Sequence, residues 1–280
     1  MPRANVNGVD LFHEVAGQGD PLVLVHGSWG DHFNWQAVIG GLAESFRVVT
    51  YDRRGHSQSE RRGNGTRQDD ENDLAALLEQ LGIVPAHVAG NSFGASIALG
   101  LAARRPSLFR SLCVHEPPLM AIAAEDSTLL PAMTVFQGNI SKVIGRLKAG
   151  DVTGGTRQFV EEVAFGLGAW DQLPSAARET FTNNALTWLN EQEDPGWATL
   201  DLEALAAHPG PALLSEGDQS LPWFPAIMQR LQKTMKHSRR HVFRGAGHVP
   251  HMTHPKDYVK TVAEFVHRSE ERRVGKECRL

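Results

Sequence analysis

Cysteine is scarce in this sequence. Two residues in 280, Cys113 and Cys278, are too few for a disulfide framework. Cys113 falls in an apolar, strand-like run and reads as a buried thiol. Long hydrophobic runs are missing too. No apolar stretch is long enough to span a bilayer, and Met1 to Asp10 lacks the basic and apolar blocks of a signal peptide. A cytoplasmic protein with no membrane partner is therefore expected. No basic cluster occurs ahead of the tail and the net charge is -4, which argues against nucleic acid as a partner. No internal repeat is visible. What remains is the composition of a globular chain, 41% hydrophobic and 21% charged, long enough for one large domain or one domain with an insertion.

Val6 to Ala16 alternates around Asn7-Gly8, a hairpin signal between two short strands. Pro21 to Val25 is continuously apolar, as a strand buried on both faces would be. Trp35 to Leu42 reads as a helix, Phe46 to Tyr51 as a strand, and Arg67 to Leu81 as an amphipathic helix with Leu74, Leu77, Leu78 and Leu81 on one side. His87-Val88-Ala89 and Leu108 to His115 are further strands, with a helix between them ending near Arg104. This alternation predicts an α/β fold with a doubly wound, mostly parallel sheet.

After Glu116-Pro117-Pro118 the rhythm changes. From about 119 to 207 the segments read as helical, with loops at 150–155 and 191–196 and no convincing buried strand. Strands return at Ala212 to Ser215 and His241 to Phe243, and Pro255 to His267 closes the chain as a helix. The expected division is a core of residues 1–118 and 208–268 and a helical cap of residues 119–207. Residues 269–280 are charged, lack an apolar period, and resemble translated adaptor sequence, so they are expected to lie outside the fold as a disordered or non-native tail.

Gly90-Asn91-Ser92-Phe93-Gly94 reads G-x-S-x-G between a strand and a helix, the context of a nucleophile elbow. The tight turn admits only small residues beside the serine and lifts the hydroxyl of Ser92 to the positive end of the following helix. A serine hydroxyl needs a base to take its proton, and that base is normally a histidine held by a carboxylate. Of thirteen histidines, His248 stands out in Gly245-Ala246-Gly247-His248, a glycine-rich loop after the last strand. His251 and His254 read as structural. Oxyanion donors are expected from the backbone N–H of Phe93 and, in the loop after the first central strand, of Ser28; the competing reading is that His26-Gly27 merely closes that strand.

These motifs in this order, with His26-Gly27-Ser28-Trp29-Gly30 and the Asp52-Arg53-Arg54-Gly55-His56-Ser57 turn, resemble the α/β-hydrolase superfamily across about residues 5–268. The resemblance implies an eight-stranded sheet, a helical cap over the site, and catalysis without cofactor or metal. Many members carry G-x-x-D after the penultimate strand. Here Gly217-Asp218-Gln219-Ser220 puts Ser220 at that place and Asp218 two residues early. A second solution in the superfamily sets the acid at the end of the strand after the elbow helix, where Glu116 stands. Cys113 to Pro118 is similar to the acid-bearing stretch of the fungal zearalenone lactonases, and 151–155 and the run from Gly247 to Pro255 also resemble that subfamily. Glu116 is accordingly the expected acid, with Asp218 as the alternative.

The function implied is a serine hydrolase cleaving an apolar carboxylic ester or lactone, either as a monomer or as a homodimer. Carbon–carbon bond hydrolysis, perhydrolysis and a non-catalytic ligand receptor are the alternatives. Ser92 in place of a carboxylate argues against alkyl-enzyme chemistry. Trp29, Trp188 and Trp223, with Phe93, are candidates to line an apolar pocket, ordinary core packing being the competing reading.

Overall fold

A computed structural model describes residues 2–61 and 65–277. Eight strands, β1 (Arg3–Val6), β2 (Val9–Ala16), β3 (Asp20–Val25), β4 (Phe46–Tyr51), β5 (Ala86–Asn91), β6 (Phe109–His115), β7 (Ala212–Gly217) and β8 (Ser238–Phe243), form one sheet in the order β1-β2-β4-β3-β5-β6-β7-β8. The β1–β2 and β2–β4 pairings are antiparallel, and every pairing from β4 to β8 is parallel. Asn7 and Gly8 both take positive φ, 49° and 79°, and close the first hairpin.

Alternation along β3 explains the layering. Val23 and Val25 face one apolar cluster while Leu22 and Leu24 face another, so both sides of the sheet are covered. The helices that cover it are α1 (Gln36–Ala43), α2 (Arg67–Gln80) and α3 (Phe93–Arg104) in the first half. Thr66 and Asp69 start α2 with reciprocal hydrogen bonds, each side chain accepting from the other's backbone N–H.

Between β6 and β7 lie α4 (Met120–Ala123), α5 (Leu130–Lys148), α6 (Val152–Phe159), α7 (Ala169–Gln172), α8 (Ser175–Glu193) and α9 (Leu202–Ala206), with no strand among the described residues of that segment. Val143, Leu147, Ala185 and Trp188 make a separate small cluster there, into which the core loop inserts Trp29. The last helices are α10 (Phe224–Thr234), α11 (Pro250–Thr253) and α12 (Pro255–Glu277).

One boundary differs from expectation. Helix α12 runs on through residues placed outside the fold: Ser269 is buried and donates to Phe265 O, and Glu270 Oε1 lies 3.3 Å from His87 Nε2. The glutamates and arginines there are good helix formers, and no proline or glycine interrupts the helix before Gly275. Residues 278–280, Cys278 included, lie outside the described residues.

Candidate active site

Strand β5 ends in Asn91, and α3 begins at Phe93, leaving Ser92 as the single residue of the turn. Its backbone sits at φ 56°, ψ -124°, a region that L-residues rarely adopt. The strain is held by close packing. A Cβ on Gly90 would meet Gly94 O at 2.5 Å, and one on Gly94 would meet Val25 O at 2.2 Å, so only glycine fits at either place. The Ser92 N–H donates to His115 O at 2.8 Å, tying the turn to β6. The Ser92 hydroxyl has no hydrogen-bond partner among the described residues.

His248 sits in the loop after β8, one-third exposed at its side chain. Its carbonyl accepts from Asn91 Nδ2 at 2.8 Å, so the residue before Ser92 anchors this loop. Phe224, at the start of α10, stacks on the imidazole with centroids 5.0 Å apart and planes 20° from parallel. At the edge of the ring, Nδ1 lies 2.6 Å from Glu116 Oε2.

Glu116 follows directly on β6, fully buried, at φ 46°. Its second oxygen accepts from the Gly217 N–H at 2.7 Å. Burial pushes the carboxyl pKa up, but the His248 hydrogen bond, the nearby His115 and the Ser220 hydroxyl outweigh it and hold the group below the usual range. Asp218 does not reach His248. It is exposed, accepts from the Gly245 N–H at 2.7 Å and Gln219 Nε2 at 3.2 Å, and lies 3.7 Å from Arg244. It braces the glycine turn (Gly245 φ 72°) that leads to His248.

The loop after β3 approaches the serine from the opposite side. A Cβ on Gly27 would lie 3.0 Å from Ser92 Cβ and 3.5 Å from its Oγ. Neither Ser28 N–H nor Phe93 N–H is taken up by a hydrogen bond among the described residues. His26 fixes the loop's start: Nδ1 donates to Gly27 O at 2.8 Å and Nε2 accepts from Arg53 N–H at 3.0 Å, a pattern that requires the neutral ring. Burial and the Arg53 charge push its pKa down to about 3, in keeping with that.

The Asp52 turn is held by its own hydrogen bonds. Asp52 accepts from His32 N–H (2.8 Å), His32 Nδ1 (2.7 Å) and Gln58 N–H (2.9 Å). Asp31, His32 and Asp52 bring metal-ligand atoms within 4.8 Å of one another. Both carboxylates are already engaged, however, Asp31 by Phe33 N–H, Ser57 and Thr180.

The tryptophans are packed. Trp29, at positive φ, lies 4.8 Å from Trp188 and 4.2 Å from Phe159, ring to ring, and Trp223 lies 4.8 Å from Phe136. All three are buried. Phe93 lies under the Arg53 guanidinium at 4.8 Å.

A family model described as the alpha/beta hydrolase family matches residues 22–261. The chain belongs to that family. Among relatives of this α/β hydrolase, a Bacillus subtilis protein named uncharacterized hydrolase YraK is 39% identical over 120 residues, 42% of this chain and 44% of that one. The 3-oxoadipate enol-lactonase 1 of Acinetobacter baylyi is 37% identical over 112 residues, 39% of this chain and 42% of that one. The matched stretch thus spans less than half the length of either curated relative. A carboxylesterase structure from Nitrososphaera gargenis shares the fold at TM-score 0.78 and 20% identity, covering 96% of this chain and 99% of that one.

Three partners of the α/β-hydrolase site were not singled out from sequence: Asn91, Phe224 and Glu191, whose carboxylate meets Ser28. Asn91 lies inside the elbow motif. Phe224 and Glu191 carry no local signal, because each contacts the site from a segment remote along the chain.

Proposed function

We propose that this α/β hydrolase is a serine hydrolase of carboxylic esters or lactones. The observation that carries the reading is the 2.6 Å contact of His248 Nδ1 with buried Glu116, in a loop anchored by the residue preceding Ser92. With Nδ1–H donated to the carboxylate, Nε2 is the lone-pair nitrogen available as base. Ser92 Oγ gives its proton to Nε2 and bonds to the carbonyl carbon, whose oxygen becomes an anion received by the Ser28 and Phe93 N–H groups. His248 returns the proton to the alkoxide as its C–O bond breaks. In a lactone that alkoxide stays tethered. Water then repeats the sequence on the acyl-enzyme, restoring Ser92 and releasing the acid.

The name of the enol-lactonase relative supports the lactone half of this proposal, and the fold neighbours add nothing about substrate. The test is turnover of a short-chain p-nitrophenyl ester together with labelling by a fluorophosphonate, mapped to Ser92 by peptide mass. A chain that neither hydrolyses the ester nor is labelled would favour a non-catalytic receptor.

A further inference from the structure

Helix α8 meets the sheet-end loops through a stripe of polar side chains. Thr180, Asn184, Thr187 and Glu191 recur at helical spacing and share one face. Thr180 donates to Asp31 (3.2 Å), Asn184 donates to Gly30 O (2.9 Å) and accepts from Ser57 N–H (2.9 Å), and Thr187 donates to Gly55 O (2.6 Å). Glu191 ends the row, and it is the unusual member. Burying a carboxylate costs several kcal/mol unless it is well paired, whereas a hydroxyl or an amide would attach the helix as the other three do. Something specific should justify the charge.

Its two oxygens divide between Ser28 and Arg53. Oε2 accepts from the Ser28 hydroxyl at 2.5 Å. Oε1 is paired with Arg53, which is also held by Asp70 at 3.0 and 3.2 Å. The Arg53 guanidinium lies over the Phe93 ring at 4.8 Å. Ser28 directly follows Gly27, which packs against Ser92. Arg53 in turn packs on the side chain of Phe93, the first residue of α3.

We propose that Glu191 is a positioning residue which sets both oxyanion donors from the helical segment, Ser28 directly and Phe93 through Arg53. The inference rests on the acyl-transfer reading above. Its physical basis is that an oxyanion donor stabilises the transition state only when it is held in place before charge develops. The consequence is that the anion site is complete only with α8 seated.

Ser28→Ala and Glu191→Gln should each lower kcat on a p-nitrophenyl ester about ten- to hundredfold, with KM changed less than about threefold, since a small displacement of a donor acts on the transition state. The double variant should be no worse than Glu191→Gln alone, because Ser28→Ala cuts a link that Glu191→Gln has already cut. The affinity of a trifluoromethyl ketone, which forms an anionic adduct on serine, should weaken in parallel with kcat/KM, while that of the neutral alcohol product should not. Thr187→Val removes another bond of the same stripe and should keep kcat within about threefold of wild type, as a peripheral change would.

Unchanged kcat in Ser28→Ala and Glu191→Gln would overturn the proposal. So would an equal loss in Thr187→Val, which would make the stripe a general attachment. If Glu191→Gln does not fold, Ser28→Ala decides alone, because it leaves the Glu191–Arg53 pair intact. A wild-type chain that is labelled at Ser92, beside variants of unchanged kcat, refutes only the positioning role. A wild-type chain neither labelled nor active refutes the serine mechanism itself.

Discussion

Glu116 Oε2 and His248 Nδ1 lie 2.6 Å apart across 132 residues of chain, and Glu116 Oε1 takes the Gly217 N–H at 2.7 Å. The carboxylate is thus gripped between β6, the start of the β7 loop and the loop after β8. A strand end gives such a group firmer support than the exposed loop that carries Asp218.

If this carboxylate holds the imidazole tautomer, Glu116→Gln should lower kcat by roughly two to four orders of magnitude. Asp218→Asn should keep kcat near wild type, because Asp218 bonds Gly245 N–H and not the imidazole. Measuring kcat of both variants on one ester decides between them. A nearly active Glu116→Gln beside a dead Asp218→Asn would reverse the assignment.

Ser92→Ala should lose roughly three orders of magnitude or more in kcat. Alanine also relieves nothing in the strained backbone, so the melting temperature should stay near that of wild type. Retention of most of the activity would place the nucleophile elsewhere.

Trp188 is buried against Trp29 and Phe159 in the cluster of the inserted segment. Trp188→Ala should therefore cost about 3–5 kcal/mol in chemical denaturation, as large-to-small changes in packed cores do. A loss under about 1 kcal/mol with a changed ester preference would instead make the ring a wall of the substrate pocket.

His251 is fully buried between Trp35 and Tyr258, and neither ring nitrogen has a hydrogen-bond partner among the described residues. Burial, with His115 and His248 nearby, pushes its pKa down to about 3 from 6.5. Between those values the unfolded chain binds a proton that the folded chain refuses, so stability falls as pH falls through this window. His115, pushed down to about 4 chiefly by burial, and His26 act in the same sense. Asp70, raised to about 6 chiefly by burial, acts in the opposite sense, and the comparison must therefore be between variants. His251→Phe keeps the ring packing and removes the proton site. Its stability relative to wild type should rise on acidification below 6.5, by up to about 1.4 kcal/mol per pH unit. Parallel stability curves for the two proteins from pH 7.5 to 5 would refute this.

Much of the fold was legible because its signals are local. The continuous apolar run at Pro21–Val25 buries both faces of a strand, and it and Phe46–Tyr51 are strands of the parallel part of the sheet. The glycines of the elbow leave a trace because no Cβ fits beside Gly94. The end of α12 departs from that pattern. The segment is charged and lacks an apolar period, yet helix propensity and the bonds of Ser269 and Glu270 carry the helix on.

What the sequence by itself determined is the order of strands and helices, the candidate serine in a strained turn, and a histidine in a glycine loop. These depend on steric and burial constraints within a few residues. Only the tertiary structure decided which carboxylate meets His248, that Trp29 and Trp188 pack on each other, and that Glu191 reaches Ser28. Those are contacts between segments 100 or more residues apart, as with the 163 between Ser28 and Glu191. No local pattern encodes them, because side chains so distant in sequence are brought together only when the sheet order places β6, β7 and the loops after β3 and β8 around one strand end.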